Sequence, residues 1–128
     1  MKPSKRRRDA VTEHIKEIQA TLLLTNWTVS VEYPTESDEE GAVARINTNN
    51  NYSEAAIELY PEFWELSQID RYFTLVHEMT HILTARIHEH CLHLYAGVLV
   101  TRREIDATLE LLTQHVARVI TSLKGGEK

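Results

Sequence analysis

Leu75-Val76-His77-Glu78-Met79-Thr80-His81-Ile82-Leu83 is the stretch on which the reading of the chain turns. It lies within a run of helical periodicity that opens at about Ser67, a residue suited to an N-cap, with Asp70 three residues later in the manner of a capping box. Ile69, Phe73, Val76, Leu83 and Ile87 recur at helical spacing, which predicts a single apolar stripe facing the core. Residues four apart on a helix differ by only about 40° in direction. His77 and His81 should therefore leave the same side, flanking that stripe at the edge of the core beneath a groove.

Two imidazoles in this relation can grip one metal ion, and H-E-x-x-H on a helix is a known spacing for zinc. Glu78 reads as the general base, taking a proton from a water that zinc acidifies from a pKa of 15.7 to about 7 and later handing it to a leaving amine. Catalytic zinc sites use three protein ligands and keep one position open, so a further side chain must come from elsewhere. A compact three-histidine pattern would need Gly three and His six residues after His81; the chain has Thr84 and Ile87 there, with His88 one position off register. That leaves a carboxylate on the last helix, Glu110 with Glu104 and Asp106 in reserve, or one of His88, His90 and His93. Gln114, one turn after Glu110, could hydrogen-bond a ligand imidazole.

Upstream, Val11, Ile15, Ile18 and Leu22 predict a first helix from Asp9 to about Thr25. Trp27, Val29, Val31 and Tyr33 alternate with polar residues and predict a half-buried strand that stops at Pro34. The acidic run from Glu36 to Glu40, closed by Gly41, reads as a solvated loop. A strand over about Ala42 to Asn47, a turn at Thr48-Asn49-Asn50-Asn51 and a strand over about Ser53 to Tyr60 form an expected hairpin. The pattern breaks down between His88 and Gly97, which predicts a connection or a second short helix. A last helix over about Thr101 to Leu123 places Ile105, Leu109, Leu112, Val116, Ile120 and Leu123 on one face, with Gly125-Gly126 as its stop.

These elements define an α+β class: an N-terminal helix, a small and mostly antiparallel three-stranded sheet, the motif helix and a C-terminal helix. The 128 residues are 42% apolar, with only four Gly and three Pro, which suits one globular domain over residues 9–124. Residues 1–8 read as a basic, flexible arm, since Lys2, Lys5, Arg6, Arg7 and Arg8 are five of the 14 basic residues. The rest then carries nine bases against 19 acids, which argues against a broad nucleic-acid surface except through the arm. Cys91, the single cysteine, cannot form an internal disulfide, and the N-terminus has no apolar run of signal-peptide length. No stretch approaches the length of a membrane span. A cytoplasmic protein is the expectation.

The order of elements and the motif resemble the gluzincin branch of zinc metallopeptidases, and more closely its minimal one-domain members, the minigluzincins of phage and bacteria. The matching segments are Ala55-Ala56-Ile57-Glu58-Leu59-Tyr60-Pro61 before the motif helix, Leu75 to Leu83 on it, and Glu110-Leu111-Leu112-Thr113-Gln114-His115-Val116-Ala117 on the last helix. The resemblance implies a zincin-like fold, with zinc held by His77, His81 and Glu110, and Glu78 as base. It also implies a peptide or protein substrate added as a strand along an edge between Ser53 and Tyr60. In the family an Asp follows the ligand Glu by four residues, where this chain has Gln114. A Tyr or His donor to the oxyanion is a further family feature, for which Tyr95 and His115 are the candidates. The competing expectation is a catalytically silent domain of the same fold that binds or regulates a partner.

Overall fold

The computed structural model describes residues 2–36 and 41–125, so most of the acidic loop lies outside the described residues. The fold is α+β: α1 (Lys5–Thr21), β1 (Thr28–Glu32), β2 (Ala44–Asn49), β3 (Glu54–Leu59), a short 3-10 helix (Pro61–Glu65), α2 (Gln68–Tyr95) and α3 (Arg102–Gly125). The sheet is mixed, in the order β1-β3-β2, with β1 parallel and β2 antiparallel to β3. The expected hairpin is therefore β2 and β3.

α1 starts earlier than its apolar periodicity suggests. The Ser4 hydroxyl accepts from the Arg7 amide at 3.3 Å, so Lys5 to Arg8 form the first helical turn rather than a loose arm. At the other end Leu24 N bonds Gln19 O and Leu23 N bonds Ala20 O, the paired closure of a Schellman cap. Leu23 occupies the left-handed position (φ 56°) that glycine would hold without strain, and the closure buries Leu24 in the core.

Both α1 and α2 cover one face of the sheet. Val11, Ile15 and Ile18 from α1 meet Ala55, Ile57 and Leu59 from β3 and Leu75, Met79 and Ile82 from α2. β3 is central because its inward side chains are the most buried of the three strands, while β1 and β2 alternate between half-buried and exposed. This corrects one expectation: the strand preceding the motif helix is paired on both sides, and the edge lying beside α2 is β2. Tyr60 N donates to Val43 O at 3.0 Å, and alternation along the strand then directs the backbone groups of Ala44, Ile46 and Thr48 away from β3.

α2 begins as expected, with the Ser67 hydroxyl accepting from Asp70 N at 3.2 Å. Its buried face overlaps the expected stripe only in part: Val76 and Leu83 pack partly buried against the core. Leu75, Met79, Ile82 and Ala85 are inside, whereas Ile69 is 80% and Phe73 67% exposed. The helix also runs unbroken to Tyr95, because there is no Gly or Pro between Gln68 and Gly97. The periodicity fades there because Leu92, Leu94 and Tyr95 are exposed and no apolar face is enforced. Gly97 (φ 79°) ends the helix, with Val98 N bonding His93 O.

α3 is capped by Thr101, whose hydroxyl accepts from Glu104 N at 3.1 Å. Its inward line is Ile105, Thr108, Leu112, His115 and Val119, and the expected core residues Leu109, Val116 and Leu123 are exposed. His90 Nε2 and Thr108 Oγ1, 3.0 Å apart, join α2 to α3.

The buried face of α2 can be tested by a pair of truncations. Leu75→Ala should lower the unfolding free energy in urea by about 2–5 kcal/mol, and Ile69→Ala should change it by less than about 0.5 kcal/mol. Equal losses would mean that the helix is rotated relative to the structure.

Candidate metal centre

The rotation of α2 decides what the motif presents. With about 100° per residue, His77 and His81 each lie about 160° from Met79, which is fully buried. Both rings accordingly stand on the solvent side rather than at the edge of the core. Their centroids are 5.0 Å apart and their planes meet at 85°. Glu78 emerges on the side toward β2 and is half-buried.

The ligand atoms of His77, Glu78 and His81 all lie within 4.8 Å of one another. Zinc bonds imidazole nitrogen at about 2.0–2.1 Å, so two ligand atoms on one ion can be no more than about 4.2 Å apart. Small rotations of the exposed rings span that difference, and the pair of imidazoles fits a divalent cation. Burial raises the Glu78 carboxyl above its ordinary pKa, while the nearby His81 and His77 pull in the opposite direction. A carboxylate raised in this way takes up a proton more readily than a solvated one, as a general base must.

Glu78 and His81 line a groove of about 530 Å³ between α2 and β2, walled by Ala44, Ile46 and Ala85 and reaching His88. Asn50 donates to Glu89 at 2.7 Å and ties the far end of β2 to α2, so strand and helix run in the same direction along this groove. His88 is one of its walls, but seven residues from His81 is about 10 Å along the axis, too far to share an ion.

The remaining candidates are placed elsewhere. Among the described residues no His, Cys, Asp or Glu beyond Glu78 joins the two imidazoles. Glu110 is exposed and accepts a 3.4 Å contact from Gln114, so neither is engaged with an imidazole. The reason is rotational: Glu110 lies about 160° from both Thr108 and Leu112, the residues that turn α3 inward. Glu104 is exposed, Asp106 pairs with Arg102 at 3.6 Å, and His90 is engaged by Thr108. His93 lies twelve residues beyond His81, about 18 Å along α2. Tyr95, 93% exposed, stands about 21 Å along the helix from His81, out of reach of an oxyanion there. His115 bonds Leu22 O at 2.7 Å and borders the α2–α3 crevice with Ile82 and Leu83, so it fastens α3 to the end of α1.

One neighbour of the imidazoles escaped the periodicity argument. Phe73 lies with its ring centroid 6.4 Å from that of His77. Ile69, Phe73, His77 and His81 share four-residue spacing, and that spacing is the signal in the sequence that places them together on one side of the helix. Compared with family models, with curated proteins and with solved structures, the chain matches none.

Zinc content of the purified protein should fall to near zero in His77→Ala and His81→Ala and remain at the wild-type level in Glu110→Ala. Loss of zinc in Glu110→Ala would bring that carboxylate back into the site. His115→Ala should leave zinc content unchanged while lowering stability by about 1–3 kcal/mol, since the Leu22 carbonyl loses its partner.

Proposed function

We propose that the chain is a zinc-dependent peptidase of minimal zincin type, with His77 and His81 as metal ligands and Glu78 as general base. The observation that carries this reading is the convergence of the three side chains within 4.8 Å beside a groove bordered by an unpaired strand edge. A divalent cation held by the imidazoles would supply Lewis-acid chemistry, polarising a carbonyl and making a water acidic near neutral pH.

The protein's own groups account for the other requirements. Ala44, Ile46 and Thr48 offer backbone donors and acceptors along β2, so an extended peptide can add there as a fourth strand. Its side chains would then alternate between the groove and solvent. Glu78, on the groove side of α2, takes the proton of the attacking water on a carboxylate oxygen and returns it to the departing amine nitrogen. Its partial burial raises its proton affinity for the first half of that exchange. The single cysteine is free and exposed, and no helix among the described residues is long and apolar enough to cross a membrane. Both suit a cytoplasmic enzyme.

A second reading is favoured by one observation: the only carboxylate that joins the imidazoles among the described residues is Glu78 itself. If Glu78 ligates, no base is left, and the domain would be a silent binding or regulatory module.

Glu78→Gln separates the two readings. For the peptidase, the variant should retain zinc and lose at least about a hundredfold of the hydrolysis rate on a casein or mixed-peptide substrate. Weakened zinc binding, with no hydrolysis by wild-type protein, would assign the site to the silent module.

A further inference from the structure

A separate cavity of about 700 Å³ opens between the first turns of α1 and α2, within the size range of small-ligand sites. Its floor is apolar, made by Val11, Phe63 and Leu75, and its rim carries Arg6, Arg7 and Arg71. Among the described residues lining it there is no Asp or Glu, although the chain as a whole has 19 acids and a net charge of −5. Glu17 hydrogen-bonds Tyr72 and approaches His14 at 4.0 Å, both lining residues, without lining the cavity itself.

The arginines are organised rather than free. The guanidiniums of Arg7 and Arg71 sit 5.2 and 5.3 Å from the centroid of the same Trp64 ring. Trp64 is itself held by Tyr33, stacked at 6.3 Å, and Phe63, edge-on at 5.0 Å. Arg71 also donates through Nη2 to the Trp64 carbonyl. Its Nε is buried and has no acceptor, and neither Arg7 nor Arg71 has a carboxylate within salt-bridge distance among the described residues.

Two like charges held over one ring repel each other, and an anion that enters beside them offsets that repulsion. Guanidinium forks match the planar, two-oxygen geometry of a carboxylate. We propose that this cavity binds a carboxylate carried on an aromatic or branched apolar body, the head on Arg7 and Arg71 and the body on Phe63, Val11 and Leu75. The same chemistry is offered by a free aromatic acid and by the C-terminal aromatic residue of a peptide. The inference does not depend on the metal centre.

Calorimetric titration of the full chain with four probes tests it: indole-3-propionate, its neutral amide, the tripeptide acetyl-Ala-Ala-Trp and that peptide's C-terminal amide. At least one acid should bind, with its amide tenfold or more weaker. Indole-3-propionate alone would identify a free acid, and the tripeptide acid alone a chain terminus. Arg7→Gln and Arg71→Gln should each weaken binding of the effective acid at least fivefold. Arg7 is exposed on the first turn of α1, so Arg7→Gln carries the test if loss of the Arg71 bond to the Trp64 carbonyl unfolds the chain. The proposal is overturned if neither acid binds at millimolar concentration, if acid and amide bind equally, or if the folded arginine variants bind as wild type.

Discussion

Met79 sits inside the H-E-x-x-H motif and is wholly buried against the sheet, and the arrangement of the motif follows from that burial. With Leu75 and Ile82 it fixes the rotation of α2, because a helix packed through these positions can turn very little without exposing them. The same rotation sends His77 and His81 outward and brings Glu78 toward β2. The arrangement of His77, Glu78 and His81 is thus set by the hydrophobic underside of the helix as much as by their spacing.

The position of β2 is the second constraint. β3, the most buried strand, takes the middle of the sheet, and β2 is left as the edge beside α2. Its backbone groups at Ala44, Ile46 and Thr48 are therefore next to Glu78 and His81. Edge strands with unpaired groups invite another strand. Here the invitation coincides with the one cluster of two imidazoles and a carboxylate among the described residues.

Charge is distributed in a way that the net value conceals. The carboxyl of Glu78 is held above its usual range by partial burial, against the pull of two imidazoles. At the start of α1, basic residues that look like a solvated tail become the first turn of a capped helix. Trp64 gathers two of the arginines of this region, one from each helix. Ser4 matters to this arrangement because its cap starts the helix early enough to carry Arg7 over the ring.

The amino-acid order alone determined the α+β class, the hairpin, the Ser67 start of α2 and the proximity of His77, Glu78 and His81. Each depends on local periodicity, capping or neighbours one helical turn apart. Tertiary structure decided which face of α2 is buried, since Ile69 and Phe73 fit an apolar stripe as well as Leu75 and Met79 do, and only the sheet beneath chooses between them. It likewise turned Glu110 away by docking α3 through Thr108, His115 and Val119, and it placed β3 rather than β2 at the centre. Long-range packing makes these choices by comparing whole faces for the area they remove from water, and a one-dimensional pattern does not contain that comparison.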